Sequence, residues 1–336
     1  MTTPQIGFCC KWLNDPSECG GMKVNAVDRE LNGRSTTMRW LREHASEAEQ
    51  RQWDIMNHNT SAAVRMIERV ATLPEGRRMV RLGSEMLQGY TEPSWIAWWQ
   101  RREIQDHCEK IFAPVGEAAR KYNVRLSFHP GQFCVLASEA DEIVERSILE
   151  FEYHVDMARY MGYGKTFQDF KINVHIAGRR GPQGIKDVMQ RLTPEARNMI
   201  TIENDEISWG IESSLELVDT CALVLDIHHH WIKTGEYIEN TDDRIKKISD
   251  SWRGVRPVIH YSLSREDYLV EHARHKRPAY DALMAAGYKR GKLRAHSNFY
   301  WNDAVNTWAI THSSWADIMC ESKGKNLASF KLKELL

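Results

Sequence analysis

The sequence predicts a single (β/α)8 TIM barrel with a metal cluster at the carboxyl-terminal face of its strands. Three observations predict it. Short apolar, β-branched segments recur along the 336 residues, longer polar stretches of helical periodicity separate them, and most of the short segments end in a histidine or a carboxylate. Alternating strand and helix patterns indicate a parallel sheet with crossover helices, and eight such units close a barrel.

In chain order, strands are expected at Gln5–Cys10, Met79–Gly83, Val124–His129, Lys171–Ile176, Met199–Glu203, Ala222–Ile227, Arg256–Tyr261 and Lys292–His296. Between them the periodicity predicts helices at Glu47–Ala71, Ile104–Tyr122, Ala140–Met161 and Arg265–Ala286. The connection after Ala222–Ile227 is poorest in helical signal, with Gly235, Asn240 and Thr241 marking a loop. No Pro/Gly/Ser linker, low-complexity tract or internal repeat interrupts the pattern, so residues 1–336 read as one domain.

Composition sets the broad class. Apolar residues make up 42% and charged residues 27% of the chain, as in globular proteins rather than disordered ones. There is no apolar run of membrane-spanning length, and the start MTTPQIGFCC lacks a basic segment followed by a long apolar one. Neither a signal peptide nor a transmembrane helix is expected, and the reading is cytoplasmic. The seven cysteines are scattered and form no CxxC pair, which suits reduced thiols rather than a disulfide framework or a zinc ribbon. A net charge of −1 does not by itself advertise a nucleic-acid partner; bound cations or a local basic cluster would have to offset phosphates.

The functional signal lies at the strand ends. From the third strand onward they read His129, His175, Glu203, Asp226, His260 and His296. In a barrel these side chains converge on the face where catalytic residues sit. A single strand-end histidine is commonly a hydrogen-bonded structural residue, but six strands in succession point to a metal site. Imidazoles mixed with carboxylates favour Zn²⁺, Mn²⁺ or Fe²⁺ over Mg²⁺ or Ca²⁺. With His229, three residues after Asp226, and Glu321 near the C-terminus, eight ligand types are available, more than one ion uses. Two or three ions sharing a carboxylate suit phosphodiester hydrolysis. In the His228-His229-His230 run neighbouring side chains diverge, so His229 is favoured; His44, His58, His107, His154, His272, His275 and His312 are assigned no site role.

Several motifs then resemble those of the UV-damage endonuclease family. They are His129-Pro130-Gly131-Gln132-Phe133 followed by Val135-Leu136-Ala137-Ser138, then Val174-His175-Ile176-Ala177-Gly178 and Glu203-Asn204-Asp205-Glu206. After them come Asp226-Ile227-His228-His229, His260-Tyr261-Ser262, Ala295-His296-Ser297 and Asp317-Ile318-Met319-Cys320-Glu321-Ser322-Lys323, in family order over nearly the whole chain. The resemblance implies a repair endonuclease that nicks damaged double-stranded DNA immediately 5′ of UV photoproducts and other helix-distorting lesions by metal-activated water, leaving a 3′-hydroxyl and a 5′-phosphate. It also implies two or three divalent ions, Mn²⁺ first, with Zn²⁺, Mg²⁺ or Co²⁺ as substitutes, and a monomer. By the same analogy Glu203 bridges two ions, one held with His129 and His175, the other with Asp226, His260 and Glu321, while His229 and His296 hold a third. The catalytic set is then Glu203, His129, His175, Asp226, His260 and Glu321.

Gln132 and Phe133 resemble the pair that such enzymes push into the duplex. An amide can replace lost base-pair hydrogen bonds and a ring can fill the gap in the stack. Without the motif, Phe133 would read as a loop-core aromatic and Gln132 as a turn residue. Phe8 stands where the family often has a lesion-facing tyrosine. Two departures are visible: Val258 replaces a lysine two residues before His260, and Arg81-Leu82-Gly83-Ser84 is not followed by the expected histidine, Glu92 being the nearest ligand type. Arg179, Arg180, Lys323 and Lys325 are candidate phosphate contacts. Alternatives on the same barrel are an apurinic endonuclease or a metal-dependent sugar isomerase; a catalytically silent damaged-DNA-binding protein is a third.

Overall fold

A computed structural model describes residues 3–15 and 28–335. Eight parallel strands run in the order β6-β5-β4-β3-β2-β1-β8-β7. They are β1 Ile6–Cys9, β2 Met79–Arg81, β3 Arg125–Phe128, β4 Lys171–His175, β5 Ile200–Glu203, β6 Ala222–Val224, β7 Val258–Tyr261 and β8 Asp317–Cys320. The cylinder is nearly closed: β6 and β7 meet through one parallel bridge, Asp226 to His260, with the His260 amide donating to Leu225 O at 3.0 Å. The barrel expected from the strand–helix alternation is therefore present.

Seven of the eight expected strands lie where the pattern puts them, trimmed by a few residues. The eighth does not. Lys292–His296 is not a strand: Arg290–Leu293 is a helical turn, and His296 only bridges Ser264 in antiparallel fashion. The place between β1 and β7 belongs to Asp317–Cys320. A second correction concerns Arg265–Ala286, where only Tyr280–Ala285 is helical, because Pro278 cannot continue a helix and drives Arg277 toward extended backbone. The connection after β6 is more helical than expected. Asp226 caps a helix at Ile227–Thr234, Gly235 ends it at φ 79°, and Asp243–Ser251 follows.

The strands are buried on both faces, and the two-residue period separates their side chains into two sets. Val80, Leu126, Ile172, Ile202, Leu223, Ile259 and Ile318 face the helices and join the large outer core. Cys9, Met79, Ala222, Val224, Val258 and Met319 form a separate apolar plug with Trp252 inside the barrel. Below it, Asp317 is clamped by Arg125 Nη1 and Arg256 Nε, each at 2.7 Å. Above it, the same inward register carries Arg81, Asn173, Glu203 and His260 toward the carboxyl end. The barrel is thus sealed at one end and polar at the other. Among the described residues no helix is long and apolar enough to cross a membrane.

Candidate metal centre

Each expected ligand is delivered by the end of a strand or the turn after it. His175 and Glu203 are the last residues of β4 and β5 and stand side by side in register. His129 follows β3, His260 lies in β7, and Glu321 follows β8. Asp226 is held by Asn204: the Asp226 amide donates to Asn204 Oδ1 at 2.9 Å and Asn204 Nδ2 donates to Asp226 O at 3.0 Å.

Four groups of three could hold an ion, the ligand atoms of each lying within 4.8 Å of one another. They are His129–His175–Glu203, Glu203–Asp226–His260, His129–His260–Glu321 and His175–Glu206–His229. The first two share Glu203, as a bridging carboxylate requires. The residues expected for a third ion are distributed differently: His229 meets Glu206 and His175, while His296, in none of the four groups, hydrogen-bonds Glu321 O through Nδ1 at 3.0 Å and lines one cavity with His229. Glu206 is visible in the Glu203-Asn204-Asp205-Glu206 motif but carried no expected role.

Three features fit the cluster to divalent cations. Glu203 Oε1, Asp226 Oδ2 and His260 Nδ1 are buried without a hydrogen-bond partner, and each such group costs about 1–3 kcal/mol unless something satisfies it. His260 Nδ1 stands 3.1 Å from Glu203 Oε2 but is not aligned for a hydrogen bond. Finally, three imidazoles have Nδ1 occupied: His129 by Pro130 O at 2.9 Å, His175 by Asp205 Oδ2 at 3.3 Å, His229 by Asn204 O at 3.1 Å. With Nδ1 donating, each Nε2 keeps its lone pair toward the cluster, the arrangement that orients metal-binding histidines.

Burial and the mutual charges of the cluster set its electrostatics. Burial pushes Asp226 up to about 8, with Glu203 and Glu321 adding to the rise. Burial would also raise Glu203, but the charges of His260 and His175 hold it well below the usual carboxylate range. His229, despite burial, is raised to about 10 by Asp226, Glu203 and Glu206. Burial lowers His129 to about 4.

Several side chains around the ligands escaped the sequence. Lys171, fully enclosed, places Nζ 2.9 Å from His260 Nε2, and burial lowers it to about 7. Arg81 Nη1 donates to Glu321 Oε1 at 2.5 Å. Asn173 donates to Glu203 and is itself held by Thr201 Oγ1 at 2.8 Å. Val258, where the resemblance leads one to expect a lysine, belongs to the apolar plug. Glu92 lies in a groove beside Phe133, outside every ligand group.

A cavity of about 250 Å³ opens over the ligands, between Gln132 on one loop, Asp205 and Glu206 on another, and His229 on the Ile227–Thr234 helix. Phe133 is 85% exposed at its rim, so it is not a loop-core aromatic. Phe8 is corrected in the opposite sense: it is fully buried against Trp12 in an edge-to-face contact at 5.8 Å, and its ring offers no face to a base. Of the basic candidates, Arg179 pairs with Glu139 and Arg180 with Asp187.

A parallel barrel with this clustered histidine–carboxylate centre belongs to the class of barrel proteins that could hold several divalent ions at the carboxyl end. Within that class the chain is specific: it belongs to the UV-endonuclease UvdE family, whose description it matches over residues 18–336. A UV-damage endonuclease of Schizosaccharomyces pombe is 30% identical over 243 residues, 68% of this chain and 36% of that protein. A UV DNA damage endonuclease of Bacillus cereus (strain B4264) is 22% identical over 302 residues, 85% of this chain and 83% of the relative. The chain spans about a third of the length of the fungal relatives it matches. Among solved structures, SacUVDE superposes with a TM-score of 0.72 at 21% identity, covering 99% of this chain and 98% of that one. Endonuclease IV from Thermus thermophilus gives 0.50 at 15% identity, covering 82% and 92%. At these identities the two structures bear on the fold alone.

Proposed function

We propose that this chain is a DNA repair endonuclease that cuts the phosphodiester immediately 5′ of UV photoproducts and other helix-distorting lesions. The products are a 3′-hydroxyl and a 5′-phosphate, and the protein acts as a monomer on damaged duplex DNA. The observation that carries this reading is the shared Glu203 at the centre of two ligand groups, beneath a cavity whose rim presents Gln132 and Phe133. Membership of the UvdE family supports it.

His129, His175, Glu203, Asp226, His260 and Glu321 would hold two ions, with His229 and Glu206 offering ligands to a third. Divalent ions bound there would activate the attacking water and stabilise the entering and leaving oxygens. Manganese suits the mixture of imidazole and carboxylate. The remaining work falls to the chain. Glu203 and Asp226 fix the anionic framework, the Nδ1 hydrogen bonds aim the imidazoles, and Arg81 restrains Glu321. Phe133 fills the gap left by a distorted step while Gln132 offers hydrogen bonds to an unpaired base, so recognition follows ease of distortion.

The test is nicking of a UV-irradiated, end-labelled duplex beside an unirradiated control, with Mn²⁺ and again with EDTA. A metal-dependent cut immediately 5′ of the photoproduct is expected. Damaged-duplex binding with no cut under any divalent ion would refute the nuclease reading.

A further inference from the structure

A lone apolar side chain on a protein surface ordinarily needs no explanation. Ile207 is 61% exposed, but its setting is unusual. It follows Asp205 and Glu206, which line the cavity over the ligand groups, just as Phe133 follows Gln132 on the same lining. Of the other large exposed hydrophobics among the described residues, Ile143 and Leu149 line the neighbouring groove on the Gln132–Phe133 side, and Val270 and Leu335 line neither, so Ile207 is the one that follows directly on the opposite wall.

The turn that presents Ile207 is tied down on every side. Asp205 Oδ1 accepts from the Ile207 amide at 2.7 Å and from the Ser208 amide at 2.6 Å. The Asp205 amide donates to Trp209 O at 2.8 Å, and Trp209 Nε1 anchors the turn to Gly178 O at 2.6 Å. Lys233 Nζ donates to both Ile207 O and Ser208 O at 3.2 Å, and Arg290 donates to Glu206 O. Two cations are thus committed to the carbonyls of a turn whose apolar tip faces water. Arg294 pairs with Glu206 alongside, so three cationic side chains, Lys233, Arg290 and Arg294, lie around a turn that carries two carboxylates. A rigid apolar tip loses little conformational entropy on contact, and positive side chains around it favour a phosphate backbone.

We propose that Ile207 is a second apolar probe of the duplex, on the same cavity rim as Phe133, packing against the deoxyribose and base edge of the strand being cut. The inference rests on the endonuclease reading above. Its partner chemistry is specific: a sugar–base surface made accessible by unstacking, flanked by phosphates that Arg290, Arg294 and Lys233 attract. Ile207 so placed makes cutting of a fully paired duplex depend on local distortion.

The experiment compares wild type, Ile207→Ala and Ile207→Leu, as full chains with Mn²⁺, on two end-labelled substrates. One carries a single photoproduct in a paired duplex; the other carries the same photoproduct opposite a short mismatched bubble. Ile207→Ala is expected to lose about tenfold in kcat/KM on the paired duplex, mainly through KM, as for an unmade isoleucine-sized contact. On the bubble it should stay within about twofold of wild type, and Ile207→Leu should track wild type on both, since leucine restores the apolar bulk. Equal activity of Ile207→Ala and wild type on both substrates overturns the inference alone. An equal loss on both also overturns it, because a disturbed site, not a probe, behaves that way. A wild-type protein that cuts neither substrate overturns the endonuclease reading and this inference with it.

Discussion

Glu203 is the residue on which the site turns, since it belongs to two of the four ligand groups and faces four histidines. Glu203→Gln keeps the shape and removes the shared negative charge. It should lower nicking by more than about 100-fold, beyond what loss of a supporting partner causes, while damaged-duplex binding stays within a few-fold. Gel-shift and nicking assays on one labelled duplex check both halves. Lys171 is the less obvious lever. Its Nζ at His260 Nε2 fixes the imidazole, so Lys171→Met should weaken Mn²⁺ binding to stripped protein by about 10-fold in a calorimetric titration. Unchanged affinity would reduce Lys171 to a filler of the barrel. The clustered histidines and carboxylates were legible in the sequence because their chemistry is written in single residues. Lys171, Asn173 and Arg81 were not, because their roles depend on which face of a strand points inward and on what stands across the barrel. Phe8 misled for the same reason: its position matched, but its inward or outward sense could not be read.

At the scale of elements, helix pairs hold the strand ends in place. Gly116, in the Arg102–Tyr122 helix, lies so close to the end of the Asp141–Tyr160 helix that a Cβ there would meet Met161 O at 1.9 Å. Gly116→Ala forces these helices apart and should cost about 1–3 kcal/mol of stability in urea unfolding. Since the second helix begins just after the Gln132–Phe133 loop, nicking should fall as well. Strands rich in β-branched residues, such as β4 with Ile172 and Val174 and β5 with Ile200, Thr201 and Ile202, were legible. β8 was not, because Asp-Ile-Met-Cys is short, opens on a charge and lacks β-branched repetition, whereas the alternation in Lys292–His296 imitates a strand. Only the clamp of Arg125 and Arg256 on Asp317 explains why a strand begins on a buried carboxylate.

Across the whole molecule, acid sensitivity should have a part unrelated to metal. His312 is buried away from the ligand groups, with Trp315 Nε1 donating to its Nδ1 and its Nε2 facing Ile238 O at 3.2 Å. Burial lowers it to about 4, and His154, likewise buried, to about 4. Above pH 6.5 both are neutral whether the chain is folded or not, and their full contribution is present. As pH falls from 6.5 toward 4 the unfolded chain takes up protons that the folded one refuses, so stability is lost across that window, by up to about 3 kcal/mol for each histidine. With EDTA present throughout, His312→Gln should show a shallower decline between pH 6.5 and 4 in urea titrations. An unaltered slope would remove His312 from the account. Manganese should raise the unfolding midpoint of wild type at neutral pH, since an ion that binds only the folded chain stabilises it.

The place of β8 between β1 and β7 also sets a timetable. Ile6 pairs with Ile318 across more than three hundred residues, and Glu321 reaches the ligand groups only when that pairing is made. Such distant closures are slow, because the loop entropy is spent before any contact repays it. On the ribosome, the earlier strands and seven of the eight residues of the ligand groups emerge before the last strand. A growing chain therefore lacks its complete set of candidate ligands until β8 has emerged and paired with β1.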